Sequence, residues 1–259
     1  MIDLKLLESC LKTRYIGRRI YHFDSLPSTN DKAKSLARGG EEEGAVVIAE
    51  RQTHGRGRYD HLWFSSPHGL HLSIILRPHV NITRVTRLVM VAGVAAARAI
   101  SSYGLDARIK WSNDLLIHER KVGGILTEVD TDGGMEFCIV GIGINLNVRH
   151  DEFPDEIRDI ATSIMEELGE EVSREEFACR LLNEFEDVYD SFKAEACDEI
   201  MSEWRRYCST IGRLVRIRTV GETIEGEAVG VDREGALILE LPNGRLMKVV
   251  SGECTHLWR

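Results

Sequence analysis

Four short stretches of this chain hold residue types that could together grip a phosphate-bearing ligand and activate it. Gly55-Arg56-Gly57-Arg58 alternates glycine with arginine. The glycines let successive backbone N–H groups form an anion-binding concavity, and the arginines add fork-shaped donors that match phosphate oxygens. Lys110 and Lys121 are point charges of the kind that neutralise an anion where charge develops, and Asp114 lies between them in sequence. A lysine ammonium about 4 Å from a phosphate oxygen gains roughly 4 kcal/mol at an effective dielectric near 20. Ser28, Thr29 and Gln52 are the convergent hydrogen-bonding groups that a small polar ring needs on an otherwise apolar wall. Gly123-Gly124 and the alternating Gly141-Ile142-Gly143-Ile144-Asn145 leave strand faces bare, which suits a flat ligand lying against backbone.

The elements that must position these residues follow from periodicity. Leu4, Leu6, Leu7 and Leu11 predict a short amphipathic helix over residues 3–12, and a strand follows at 20–23. Ser28 with Asp31 fits a capping box opening a helix, whose outward N–H groups could also hold a polar ligand. Residues 45–49 read as a buried strand running into the glycine–arginine loop, and 70–76 as another strand. An alanine-rich helix is expected over 83–103, closed by Gly104. Residues 107–129 read as one hairpin turning near Glu119-Arg120, with His118 facing Lys121. Strand parity puts Lys110, Asp114 and Lys121 on one face, the lysines roughly 25 Å apart at about 3.3 Å per residue. If both serve one ligand the chain must bend, and Asn113-Asp114 is where turn chemistry permits it. The strand over 137–146 should fill one sheet face with Ile142, Ile144 and Leu146. A capping box at Ser173 and Glu176 leads a helix whose stripe (Phe177, Leu181, Phe185, Phe192) is core.

Composition narrows the class. Hydrophobic residues make up 43% and charged residues 29% of 259, as in an ordinary globular chain. A net charge of -9 with no basic stripe argues against non-specific nucleic-acid binding. Six scattered cysteines without a CxxC argue against a zinc site or disulfide scaffold and fit a reducing cytoplasm. No signal-peptide layout or membrane-length apolar run is evident. After Ser209 short alternating strands appear at 214–219, 223–231, 236–241 and 245–250, the texture of a small barrel. The expected division is a catalytic domain over 1–210 and a small domain over 211–259.

Taken in their order and spacing, Ser28-Thr29-Asn30, Gly55-Arg56-Gly57-Arg58 with Trp63-Phe64, Lys110-Trp111-Ser112-Asn113-Asp114, residues 120–126 and residues 141–145 resemble the biotin protein ligases. The resemblance covers almost the whole chain. It implies an α+β fold, a mixed sheet flanked by helices of the class II aminoacyl-tRNA-synthetase and biotin-ligase type, followed by an SH3-like barrel. It implies that biotin and ATP form biotinyl-5′-AMP and pyrophosphate, and that a lysine of a biotin carboxyl carrier protein then takes the biotinyl group. Carried over by position, Ser28, Thr29, Gln52 and Gly124 line the biotin ring pocket, Arg56, Gly57 and Arg58 form the ligand-ordered loop, and Asn30, Gly55, Ile125 and Gly141 are further ligand-binding residues. Lys110 is the catalytic lysine, with Arg56 and with Lys121 on the biotin carboxyl or acyl phosphate. Trp63, Asn113 and Asn145 contact the adenylate, and Asp114 is a partner of Mg²⁺ or of lysine. A cytoplasmic homodimer is implied. Ser112 stands where many relatives have proline, and Tyr59-Asp60-His61 removes a basic residue from the loop. Of the rival readings, a lipoate ligase shares the chemistry. A DNA-binding repressor would need a helix-turn-helix, for which residues 1–27 leave no room, and a Gly/Arg RNA-binding module would need stacking aromatics and net positive charge.

Overall fold

The computed structural model describes residues 1–78, 85–130 and 137–257, apart from the side chain of Asp60. Twelve strands form two sheets among the described residues. The larger sheet holds β1 (Ile20–Leu26), β2 (Val46–Gln52), β3 (Leu70–Leu76), β4 (Arg108–Lys110), β5 (Asp114–Ile117), β6 (Arg120–Asp130) and β7 (Phe137–Ile144) in the order β1-β2-β3-β7-β6-β5-β4. Only β1 and β2 run parallel; the other neighbours are antiparallel.

Side-chain alternation sorts this sheet into two faces. Val46, Ile48, Leu72 and Ile74 join the main core with helices α1 (Leu4–Cys10), α3 (Leu88–Ser101), α4 (Arg174–Lys193) and α5 (Cys197–Tyr207). Ala45, Val47, Ile75, Phe137 and Ile139 face the other way and meet Ala33 and Ala37 of α2 (Thr29–Arg38). The long α4 carries the expected buried stripe, and Ser173 caps it by accepting from the Glu176 N–H. At α2, by contrast, Ser28 is the N-cap residue but makes no side-chain cap bond. α3 is shorter than expected, and residues 83 and 84 of that reading lie outside the described residues.

The stretch read as one hairpin is a three-stranded meander. The chain reverses at Trp111-Ser112-Asn113, so that Lys110 pairs with Asp114, and again at His118-Glu119. The two-residue turn at His118-Glu119 sets Lys121 opposite Leu116 rather than His118, and a register shift between Leu115 and Leu116 then sets Leu115 opposite Gly123 and Asp114 opposite Gly124. His118 and Glu119 take positive φ, 48° and 64°, a conformation that costs roughly 1–2 kcal/mol for a non-glycine residue. Side-chain contacts hold the turn: His118 and Arg120 both meet Glu167 at 2.8 Å, and Arg213 grips Glu119 at 2.6 and 2.9 Å.

The second sheet, β8 (Leu214–Arg218), β9 (Thr223–Val231), β10 (Leu237–Glu240), β11 (Leu246–Val249) and β12 (Glu253–His256), is antiparallel in the order β11-β10-β9-β8-β12. Its inward residues Val215, Ile217, Leu237 and Leu239 belong to the same apolar cluster as the main core. The cysteine reading needs correction as well. Cys10 of α1 and Cys179 of α4 form a disulfide with a Cα–Cα distance of 6.0 Å. Their sequence spacing gave no sign of it, because only the packing of α1 on α4 brings them together.

One carboxylate ties the N-terminal segment to α4. Glu186, 5% exposed, accepts from three successive backbone N–H groups, Arg14, Tyr15 and Ile16, at 2.6, 3.0 and 2.9 Å. Burial opposes its charge, but these bonds and the Arg14 guanidinium outweigh it and hold its carboxyl below the usual glutamate value. A depressed folded-state pKa contributes stability above the unfolded value near 4.3 and loses it as pH falls. Glu186→Ala should therefore cost about 2–4 kcal/mol at neutral pH, where three N–H groups lose a charged acceptor. Urea unfolding of wild type and variant should differ at pH 7 and converge below pH 4.

Candidate functional site

Beyond the N-terminus of α2, on the same face of the larger sheet, lies a cavity of about 570 Å³. It is walled by the N-terminus of α2, residues 56–63, the β4–β5–β6 meander, β7 and, unexpectedly, residues 252–256. All but two of the site residues read from the sequence line it; Gly55 and Asn145 do not. Gly55 sits behind the loop, where its carbonyl accepts from Trp63 N–H at 2.8 Å. Asn145, 5% exposed, donates its amide to the Thr162 carbonyl at 3.0 Å and so anchors the end of β7.

The centre of the charged wall is Asp114. Its Oδ2 lies 3.1 Å from Lys110 Nζ and its Oδ1 2.5 Å from Lys121 Nζ. Both lysines therefore meet one carboxylate instead of standing far apart on a straight ladder. Burial works against the charge on Asp114, and the two ammonium groups overcome it, keeping the carboxyl below its ordinary value. Of the two roles expected for Asp114, the structure shows the contact with lysine. Each of its oxygens faces one ammonium group. No cluster of three metal-binding side chains occurs among the described residues.

The polar end of the cavity is built on α2. Thr29 N–H and hydroxyl both donate to Gln52 Oε1, at 2.8 and 3.1 Å. This leaves Gln52 Nε2, and the Ser28 hydroxyl that does not cap α2, without a protein hydrogen-bond partner among the described residues, both on residues lining the cavity. Asn30 is fixed from both ends. Its Nδ2 donates to Glu128 at 2.7 Å, and its Oδ1 lies 2.6 Å from the Ser73 hydroxyl.

The glycines make room for the protein's own side chains. A Cβ at Gly141 would lie 2.2 Å from Asn30 Oδ1, and one at Gly143 would lie 2.7–2.9 Å from three atoms of the Trp63 indole. Gly124 pairs directly with Gly143, and the indole covers both. Gly123 points into the core against Ile144 and Leu115, so it admits no ring on the cavity side. The indole N–H donates to His71 Nδ1 at 3.3 Å, while His71 Nε2 donates to the Ser66 carbonyl at 3.0 Å. Burial holds His71 down to about 4, so it is neutral and keeps Nδ1 free to accept. Lys121 Nζ stands 5.8 Å over the same indole.

The loop is a tight hairpin closed by Gly57 N–H to the His61 carbonyl, 2.7 Å. Arg56 Nη2 meets Asp31 at 2.6 Å and Glu128 at 3.1 and 3.2 Å. Arg58 donates to Ser112 and, at 3.4 Å, to Asn113 Oδ1, and it stacks on Tyr59. At the loop's far end His61 Nε2 lies 3.5 Å from Glu253 of β12.

A model of the biotin/lipoate A/B protein ligase family matches residues 22–145, and one of the biotin protein ligase C-terminal domain matches 210–257. A bifunctional ligase/repressor, BirA, of Bacillus spizizenii is 37% identical over 246 residues, which cover 94% of this chain and 75% of that one. The chain belongs to the biotin/lipoate A/B protein ligase family. The biotin–[acetyl-CoA-carboxylase] ligase of Mycobacterium tuberculosis is 32% identical over 241 residues, covering 89% of this chain and 86% of that protein. The Aquifex aeolicus biotin protein ligase in complex with biotin and ATP superposes with a TM-score of 0.81 at 29% identity, covering 93% and 99% of the two chains.

Sequence reading of this family member missed the acids that hold Arg56, the Ser73 and His71 supports on β3, and the whole β12 wall. Ser73 was visible as the lone polar residue inside an apolar strand; Glu128 and β12 carried no such signal. β12 also presents Cys254, whose thiol burial pushes up to about 12. Because the indole cannot yield to a methyl at 2.7 Å, Gly143→Ala should displace Trp63 and cost about 1–3 kcal/mol. Tryptophan fluorescence, measured against a Trp63→Phe background, should shift, and the thermal midpoint should fall.

Proposed function

We propose that this chain is an ATP-dependent biotin protein ligase that forms biotinyl-5′-AMP and transfers biotin to a lysine of a biotin carboxyl carrier protein. The observation that carries this reading is the pairing, in one cavity, of the Lys110–Asp114–Lys121 triad with the unengaged Ser28 and Gln52 donors. An uncharged ureido ring needs neutral donors and acceptors, whereas its carboxylate and an α-phosphate need cations a few ångströms away. The cavity supplies both kinds.

In the first step a biotin carboxylate oxygen attacks the α-phosphorus of ATP and pyrophosphate leaves. Two anions approach, and negative charge builds on the oxygens between them. Lys110 and Lys121 stabilise that charge, with Arg58 aimed into the same region from the loop. Asp114 keeps both ammonium groups in place without quenching them, since one carboxylate shared by two lysines leaves a net positive charge. In the second step the carrier lysine amine attacks the acyl carbonyl and AMP leaves. Trp63 covers the Gly124–Gly143 pair and excludes water from that wall. A cytoplasmic location and a homodimer belong to the same proposal. No described helix is long and apolar enough to cross a membrane.

The family model also covers lipoate ligases, so the acid is the decisive variable. Pyrophosphate release from ATP should be stimulated by biotin and not by lipoate; greater stimulation by lipoate would reassign the substrate. Lys110→Ala should lower kcat for adenylation by 10²-fold or more and leave the apparent affinity for ATP within a few-fold, as expected of a group acting where charge develops. Lost ATP affinity with kcat intact would make Lys110 a ground-state binding group.

A further inference from the structure

Glu128 stands where two parts of the site meet, and nothing in the motif pattern marked it. It lies on β6 two residues beyond Leu126 and four beyond Gly124, on the strand face that lines the cavity. Its Oε2 accepts from the Asn30 amide at 2.7 Å, and both of its oxygens face Arg56 Nη2, at 3.2 and 3.1 Å. Asn30 follows directly on the Ser28-Thr29 pair of the polar pocket, and Arg56 belongs to the loop. Asp31, one residue after Asn30, takes the same Nη2 at 2.6 Å. The loop has little apolar surface to hold it down, since Leu62 is 84% exposed and Tyr59 43%. Its attachment is therefore polar: Arg56 to Glu128 and Asp31, Arg58 to Ser112 and Asn113, and His61 Nε2 3.5 Å from Glu253 at the far end.

We propose that Glu128 is a positioning residue that couples the polar pocket to the arginine loop, one carboxylate holding the Asn30 amide and the Arg56 guanidinium in register. The acceptor pattern of Asn30 makes the coupling directional. Its Oδ1 is taken up with the Ser73 hydroxyl, so its Nδ2 must face an acceptor, and Glu128 together with the Leu126 carbonyl provides it. Gly141 makes room for Asn30 in this position, because the amide fills the space where a Cβ would stand. A ligand ring that presses on Ser28-Thr29-Asn30 is thereby felt at Arg56 through Glu128. Conversely, with Nη2 held by carboxylates, the opposite edge of Arg56 stays available to an anion in the cavity.

The inference rests on the ligase reading for its functional arm, and it has a second arm that does not. Glu128→Gln removes one of the two carboxylates that hold Arg56, leaving Asp31, and keeps an oxygen that can accept from Asn30; Glu128→Ala removes both the charge and that oxygen. In the ligand-free protein, Glu128→Gln should raise the rate of trypsin cleavage after Arg56 and Arg58 at least fivefold with the thermal midpoint unchanged. With biotin and ATP, Glu128→Gln should hold biotin within twofold of the wild-type Kd yet release biotinyl-AMP at least tenfold faster, read as labelled biotin on serum albumin without a carrier protein. Glu128→Ala should lose biotin affinity and adenylate retention together. Trypsin rates and adenylate release equal to wild type in Glu128→Gln would overturn the proposal. So would a parallel loss of biotin affinity, retention and thermal midpoint in that variant, which is the mark of a merely structural role. If the wild type itself shows no biotin-dependent pyrophosphate release, the ligase reading fails, while the trypsin arm still decides whether Glu128 holds the loop.

Discussion

Two ammonium groups aimed into one cavity repel each other, and Asp114 is what lets Lys110 and Lys121 stand together. Charges of like sign a few ångströms apart at a half-buried surface oppose each other by several kcal/mol, which would turn one lysine outward or neutralise it. A carboxylate between them removes that repulsion and leaves a net positive site. It can do so only if β4, β5 and β6 are neighbours in this register, with a reversal at Trp111-Ser112-Asn113 and the shift between Leu115 and Leu116. Sheet geometry is therefore a condition of the electrostatics.

The meander also shows where sequence reading stops. Parity along an ideal strand placed the two lysines and Asp114 on one face, and the need for a bend was visible from the distance between them. What parity could not supply was a full reversal over three residues of weak turn signature, or a second turn placed at His118-Glu119, which sets Lys121 opposite Leu116. Both are held by partners far along the chain: Glu167, Arg213 and Thr210 bond the two turns and have no sequence pattern linking them to the motif. The helices were easier. A stripe such as Phe177, Leu181, Phe185 and Phe192 specifies its own buried face, and Ser173 caps its own helix, so the needed information is local.

The glycines lie between these extremes. Sequence alone reports that the Gly141 and Gly143 faces are bare, and the structure agrees that a side chain there would collide. The occupant is a different matter. Asn30 and Trp63 fill those spaces, so the glycines shape the cavity indirectly, by letting an amide and an indole lie flush with the strand. Gly123, adjacent in sequence to Gly124, serves the core on the other face. One residue of pleat separates a packing glycine from a site glycine.

The second sheet enters the chemistry through rigidity. Trp111, next to Lys110, donates its indole N–H to the Gly235 carbonyl at 2.9 Å and its backbone N–H to Thr210 Oγ1 at 2.9 Å. Having accepted there, the Thr210 hydroxyl turns its own proton toward His256 Nε2 at 3.0 Å, and burial with Arg213 and Lys110 nearby depresses the charged form of that imidazole. A neutral His256 can accept, so the chain of donors from Trp111 to β12 is consistent from end to end. Arg213 meanwhile holds Glu119 at the other turn. Both ends of β5, the strand that begins with Asp114, are thus bonded to the C-terminal unit. The expected boundary near Thr210 consequently runs through a packed and hydrogen-bonded seam. The triad keeps its geometry because the turns on either side of β5 are bonded to a second sheet that carries none of the triad's charges.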